Sequence, residues 1–139
     1  MKHRHYRRPL PLFIEELFEQ MYKPAPITKV KKKMLADFDN WQIPFFDFVD
    51  DFRYCKDLSI LLSKPFETDS PLVDALLAST VEYLCDELHM EPPQWILDVP
   101  ALKEPWFVGG GGEKLQALAV IECPVFFRKR LIFVLDNFI

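Results

Sequence analysis

The glycines of this chain constrain its fold more than any other residue type. The 139 residues include only four glycines, and all four are consecutive, at positions 109–112. A β-rich domain of this size needs glycine at several tight turns, so the absence of glycine elsewhere favours helices joined by other corners. Twelve prolines supply such corners. The glycine run itself predicts a flexible, exposed loop, because Glu113 follows it instead of the lysine of a phosphate-binding loop.

Apolar residues recur at helical spacing along most of the chain. The clearest helix runs from Leu72 to about Met90, with Ser70-Pro71 as its cap and first turn. Other helices are predicted at 12–22, from a capping Thr28 to Phe38, from Pro44 through Phe52, at 55–63 and at 113–122. Around the second of these, the lysines are expected to form a solvated face: Lys29, Lys31, Lys32 and Lys33.

These elements predict a single all-α, or nearly all-α, domain covering residues 1–139. The chain is too short for two cores, and five to seven helices should form a compact bundle around residues 72–89. An irregular segment rich in proline and tryptophan, 92–112, interrupts the helices. Residues 125–139 fit either a helical turn or an extended segment. The predicted core comprises Phe45, Phe48, Phe52, Leu76, Leu77, Val81, Leu84, Leu118 and Ile121.

Charge is distributed unevenly between the two ends of the chain. Residues 1–34 carry nine Lys/Arg against three Glu, a net of +6, and residues 35–139 carry eight Lys/Arg against eighteen Asp/Glu, a net of −10. The basic arm of residues 1–11 is expected to pair loosely with the acidic body. Three basic stretches are candidates for nucleic-acid phosphates: residues 2–8, 29–33 and 128–130.

The location expected for this chain is cytoplasmic. No apolar run is long enough to span a bilayer, and the basic N-terminus lacks the apolar stretch of a signal peptide. Three cysteines in apolar surroundings, Cys55, Cys85 and Cys123, indicate reduced thiols and not a disulfide framework.

No catalytic constellation is recognisable, so the chain is not expected to be an enzyme. Asp86 and His89 lie three residues apart, but a di-metal bundle needs a second such element, which the sequence lacks. None of the cysteines lies at a helix start or a glycine turn that would lower its pKa, and the serines fit helix-surface or cap positions. We therefore expect no cofactor and no metal.

The C-terminal part of the chain carries a series of short motifs. They are Pro93-x-Trp95, Pro105-Trp106-Phe107, a small-residue helix ending in Glu122-x-Pro124, and Phe127-Arg128-x-Arg130 followed by Ile132-Phe133-Val134. Over residues 92–139 this pattern resembles an uncharacterised bacterial domain family. In some of its members the pattern follows a helix-turn-helix domain and resembles antitoxin-like partners of nucleotidyltransferase toxins. Residues 1–91 contain no helix-turn-helix pattern, so the resemblance implies no DNA binding here.

The same motifs predict a docking surface, because large amphipathic rings on a proline-stiffened backbone lose little entropy on binding. The residues expected to bind a partner are Trp95, Trp106, Phe107, Phe127, Arg128 and Arg130. The two arginines would clamp a carboxylate, for example that of Glu122, or reach the partner. In the alternative, the tryptophans cover the end of the core and the arginines pair internally.

The leading functional expectation is a non-catalytic interaction module, antitoxin-like or regulatory, that binds a protein partner or associates with itself. The alternative is a nucleic-acid-associated regulator that uses the basic N-terminal arm. Salt separates the two, because phosphate contacts weaken steeply as salt rises and an aromatic interface does not. Neither expectation involves a membrane.

Overall fold

The computed structural model describes residues 24–64 and 70–139. In this part of the chain six α-helices surround one core, which confirms the predicted all-α class. The predicted helix 12–22 and the basic arm 1–11 lie outside the described residues. The helices are α1 (Ile27–Ala36), α2 (Gln42–Cys55), α3 (Ser59–Leu62), α4 (Pro71–Glu87), α5 (Glu113–Glu122) and α6 (Val125–Arg128).

Helix α1 begins two residues earlier than predicted and has a different cap. Pro26 occupies the N-cap in an extended conformation, so Thr28 lies inside the first turn and does not cap the helix. The buried face of α1 consists of Ile27, Val30, Met34 and also Lys31. Lys31 was expected on the solvated face, but it is buried and its Nζ forms an ion pair with a carboxylate oxygen of Asp74 on α4. Burial of the lysine stem is possible because this partner compensates the charge.

Helix α2 begins before Pro44 and supplies the largest aromatic part of the core. Its buried residues are Phe45, Phe48, Val49 and Phe52. The helix ends where Lys56 adopts a left-handed conformation, and its N–H donates to the carbonyl of Phe52 at 2.8 Å. The helical continuation predicted over 55–63 is therefore reduced to the short α3, before which the Asp57 carboxylate accepts the N–H of Ser59 at 2.9 Å.

Helix α4 is the central helix that the sequence predicted. Ser70 caps it, with Oγ accepting the Val73 N–H at 3.4 Å, and Pro71 follows in the first turn. Ten of its 17 residues are buried. At its C-terminus His89 has a φ of 56°. Its N–H donates to the carbonyl of Asp86, and the N–H of Met90 donates to that of Cys85. This is the paired hydrogen bonding of a Schellman motif, in which glycine is the preferred residue at the left-handed position.

Replacing His89 with glycine is expected to raise the free energy of unfolding by about 1 kcal/mol. A Cβ makes the left-handed conformation unfavourable, and glycine removes that cost while keeping both hydrogen bonds. Urea denaturation of the two proteins measures the difference. His89→Ala serves as the control, because it keeps the Cβ and should give no gain; equal stabilisation by alanine would contradict the explanation.

Two short strands in the C-terminal part of the chain pair with each other. Strand β1 (Trp106–Phe107) pairs in parallel with β2 (Ile132–Phe133), in the register Trp106 to Ile132 and Phe107 to Phe133. Helices α5 and α6 lie between the strands in sequence, and a 3-10 helix (Gln94–Asp98) precedes them. Residues 125–139 thus combine a helical turn with an extended segment. None of the described helices is long and apolar enough to cross a membrane.

Most of the predicted core is confirmed, with two exceptions on α5. Phe45, Phe48, Phe52 and the four predicted residues of α4 are all buried. The predictions for Leu118 and Ile121 are wrong, since their side chains are 40% and 76% exposed. The side of α5 that faces the body is instead formed by Gln116, Ala119 and Cys123, which share one face at i, i+3, i+7.

Candidate protein-interaction surface

Two of the predicted partner-binding residues, Trp95 and Phe127, belong to the core. Trp95 is 7% exposed, and its Nε1 donates to the carbonyl of Leu61 at 2.7 Å. Phe127 is fully buried and lies 6.0 Å from Tyr83 and 5.9 Å from Phe138 between ring centroids. Neither side chain can touch a partner while this packing holds, so the expectation that they form a docking surface is corrected here.

Arg130 is also buried, and its guanidinium is occupied within the chain. Its Nη1 donates to Oε1 of Glu82 on α4 at 2.6 Å, and Nη2 donates to the carbonyl of Ile96 at 3.0 Å. Weaker bonds of 3.4 Å reach Val99 and Ser79. The internal carboxylate is thus Glu82, and not Glu122 as suggested by the sequence. The sequence did offer a signal for Glu82, which follows Val81 within the largely apolar central helix α4.

The remaining three predicted residues are accessible to different degrees. Trp106 is half-buried, 5.9 Å from Trp41 between ring centroids, and not on the central helix. Phe107 is half-buried and stacks on Phe133 at 5.1 Å. Arg128 is exposed on α6. The six predicted residues therefore do not form one surface, and Phe107 is the one that borders the exposed apolar region described next.

Among the described helices, α5 carries the most exposed large apolar side chains. Only one of its ten residues, Ala119, is buried. Its four large apolar side chains all point wholly or partly to solvent: Leu115, Leu118, Val120 and Ile121. Successive residues turn by about 100° around a helix, so Lys114, Leu118 and Ile121 lie opposite the face that holds the helix to the body. We call the side of α5 formed by residues 114, 115, 118, 121 and 122 the α5 face.

A shallow groove of about 180 Å³ lies beside the α5 face. Its walls are mainly apolar, and Leu115 belongs to both the groove and the α5 face. Gly109 and Gly110 of the glycine loop form one rim. Gly111, next in the loop, has a φ of 88°, which favours glycine, and a Cβ there would lie 2.7 Å from Leu115 Cδ1, so a side chain would displace Leu115. The groove residues include Phe107, Leu115, Ala119, Phe133, Leu135 and Phe138.

The basic stretches that the sequence offered for nucleic acid are partly neutralised within the chain. Lys129 Nζ lies 2.7 Å from Oε2 of Glu82, the same carboxylate that binds Arg130. Lys31 is paired with Asp74. Residues 2–8 lie outside the described ranges. Among the residues that are described, no group of three or more His, Cys, Asp or Glu side chains is placed to hold a metal ion.

Two of the three cysteines, Cys85 and Cys123, are buried. Burial, reinforced by the nearby Glu82 carboxylate, raises the pKa of the Cys85 thiol from 9.0 to about 11. Burial likewise raises the pKa of Cys123, and contacts with Val134 and Arg128 offset part of the effect. A thiol with a raised pKa is a poor nucleophile, which argues against either cysteine as a reactive centre.

The stability of the protein is expected to fall as the pH rises from about 9 to about 11. Cys85 keeps its proton in the folded state up to about pH 11, whereas an exposed thiol loses it near pH 9. The folded state therefore binds more protons in this window, and raising the pH favours unfolding. Urea midpoints at pH 8, 9 and 10 measure the slope. Cys85→Ala is the control, since it removes this group; an unchanged slope would contradict the assignment to Cys85.

Comparison of the chain with known protein families, with curated proteins and with solved structures finds no match. Function is therefore inferred from the exposure, charge and contacts of the side chains themselves. The resemblance of residues 92–139 to an uncharacterised bacterial family remains an expectation.

Proposed function

We propose that this protein is a non-catalytic interaction module that binds another protein chain through the α5 face and the adjoining groove. One observation carries the proposal: α5 is apolar on its outer side and leaves that side in solvent. Exposed apolar patches on monomeric proteins are commonly interaction sites, because each buried Å² of apolar surface contributes about 25 cal/mol. Phe107 and the α5 face replace Trp95, Phe127 and Arg130 as the proposed contact residues.

The attachment of α5 supports this proposal. A helix that served only to complete the core would place its leucines and isoleucine inward, and here Ala119 and Cys123 take those positions. The larger side chains of Leu118 and Ile121 are instead exposed on the outer side of α5. Free, buried thiols are compatible with a cytoplasmic partner, and an antitoxin-like or regulatory role is one in which such a contact would be used.

The second candidate, a nucleic-acid-associated regulator, rests on the net charge of +6 in residues 1–34. The described basic residues support it weakly, since Lys31, Lys129 and Arg130 are each paired with a carboxylate. Duplex DNA titrated at two salt concentrations distinguishes the candidates. A nucleic-acid regulator binds the duplex at low salt and loses affinity steeply as salt rises, whereas a module that acts through the α5 face should not bind the duplex.

Site-specific photo-crosslinking in the full chain, in the cells that produce it, tests the proposal. A photoreactive amino acid at position 121 is compared with one at position 97, because Ile121 and Leu97 are aliphatic and equally exposed, at 76% and 77%. Leu97 lies on the 3-10 helix and not on α5. We expect an intermolecular protein adduct from position 121 and none from position 97. Equal labelling at both positions, or none at 121, would overturn the proposal.

A further inference from the structure

We infer that the partner of the α5 face is a second copy of this chain, bound through an antiparallel pair of α5 helices with a two-fold axis at Leu118. This inference rests on the proposed function, and it adds the identity of the partner and the register of the contact. A two-fold interface requires a surface that is complementary to itself, so that each residue i meets j and each j meets i. The α5 face has this property.

The spacing of residues on the α5 face is symmetric about Leu118. Leu115 and Ile121 lie three residues before and after it, and Lys114 and Glu122 lie four residues before and after it. Antiparallel alignment on this centre places Leu118 against its own copy. Leu115 and Ile121 lie about 60° to either side of Leu118 around the helix, so they extend the apolar contact along the two flanks of the helix pair.

Charge complementarity selects this alignment over a parallel one. In the antiparallel pair Lys114 of each copy lies at the level of Glu122 of the other, which gives two opposite-charge pairs, one on each side of the Leu118 contact. A parallel pair would instead place Lys114 against Lys114 and Glu122 against Glu122. Because each chain has a net charge of −4, two copies repel one another at long range, and local attraction must offset that repulsion.

The Glu122 carboxylate is exposed and is held in place within the chain. Its Oε1 accepts the backbone N–H of Asp136 at 3.2 Å. Fixing the carboxylate before association reduces the entropy that an ion pair would otherwise lose. Glu113, by contrast, lies about 100° around the helix from Lys114 and outside the α5 face.

The size of the α5 face predicts a weak, reversible dimer. A standard interface buries about 800 Å² on each partner, whereas an exposed patch on one short helix amounts to a few hundred Å². We therefore expect a dissociation constant on the order of tens of micromolar or weaker, because a small interface leaves little surplus over the entropy cost of association.

Sedimentation equilibrium of the purified full chain, over about 1 to 500 μM, tests the inference. We expect a monomer–dimer equilibrium that Leu118→Lys weakens at least tenfold, because the two substituted ammonium groups would meet on the axis. Leu97→Lys is the matched control and should leave the equilibrium unchanged. Circular dichroism confirms that each variant is folded. A chain that remains monomeric at all concentrations, or a dimer unaffected by Leu118→Lys, would overturn the inference.

A charge exchange tests the register without altering an apolar residue. Lys114→Glu and Glu122→Lys are each expected to weaken the dimer several-fold, and the double exchange should restore it. The two positions are about 12 Å apart along one helix, too far to pair within a chain, so rescue reports contact between copies. Additive losses without rescue would exclude the antiparallel register.

The photo-crosslinking experiment separates failure of this inference from failure of the proposed function. An adduct at position 121 with a second copy of the chain supports both. An adduct with a different protein supports the interaction module and overturns the dimer. An intrachain adduct, or none, overturns both, since the α5 face would then have no partner chain.

Discussion

Replacing Arg130 with alanine is expected to lower the free energy of unfolding by about 3–5 kcal/mol. The guanidinium binds Glu82 at 2.6 Å and the carbonyl of Ile96 at 3.0 Å, in a site where Arg130 is 5% exposed. Removing it leaves a largely buried carboxylate and a buried carbonyl without this donor. It also releases the turn after α6 from α4 and from the 3-10 helix. Urea denaturation, compared with that of the unmodified chain, measures the loss.

Two variants separate the buried ion pair from the exposed one at the same carboxylate. Lys129→Ala removes an exposed side chain that also contacts Glu82, and it should cost no more than about 1 kcal/mol. Arg130→Lys keeps the charge but not the fork of donors, so it should lie between the two alanine variants. Equal effects of Arg130→Ala and Lys129→Ala would show that the buried network does not stabilise the fold as described.

Replacing Phe127 with alanine is expected to lower the free energy of unfolding by about 3–5 kcal/mol, because the packing of a buried ring is lost. Its fully buried ring joins Tyr83 on α4 to Phe138 near the C-terminus, and Phe138 in turn stacks on Phe45 of α2 at 5.8 Å. Loss of the ring opens a cavity between these three parts of the chain. Thermal and urea unfolding measure the change.

The neighbouring Phe126 provides a matched control within the same helical turn. It is only partly buried and meets Tyr83 edge-on at 6.3 Å, so Phe126→Ala should cost clearly less than Phe127→Ala. Phe127→Ala should also leave the dimer intact wherever the variant is folded, because Phe127 lies outside the α5 face. A folded Phe127→Ala variant that lost association selectively would return Phe127 to the interaction surface.

The helix boundaries that the sequence predicted best are those with local chemical signals. Ser70-Pro71 marks the start of α4, and the glycine run and Pro124 bracket α5, which spans exactly the predicted residues. Such caps and breakers act on adjacent residues, so they are readable without knowing the fold. The boundary at Cys55 was missed because Lys56 is not a residue that usually marks a left-handed helix end.

Features that depend on distant parts of the chain were not predictable. The strand pair joins Trp106 to Ile132 through only two residues on each side, too short for an alternating pattern. Helix α5 is apolar on both its inner and outer sides, so periodicity does not decide which side faces the core. Leu118 and Ile121 were therefore assigned to the core, although tertiary packing turns Ala119 inward.

The candidate site was predictable only in outline. Short aromatic and basic motifs directed attention to residues 92–139, where the α5 face and the groove lie. Sequence alone did not show that Trp95 donates a hydrogen bond to a carbonyl in α3, or that Arg130 donates one to Glu82 in α4, because both acceptors are remote in sequence. Burial of a tryptophan or an arginine depends on whether such a partner is within reach.

The positions of the three tryptophans give the protein an internal optical reporter. Trp95 and Trp41 are buried and Trp106 is half-buried, and the rings of Trp41 and Trp106 lie 5.9 Å apart although 65 residues separate them in sequence. Intrinsic tryptophan fluorescence therefore reports whether the segments that carry Trp41 and Trp106 are packed together. None of the three belongs to the α5 face, so emission should change on unfolding and stay nearly constant when two copies associate, and a single sample can report folding independently of assembly.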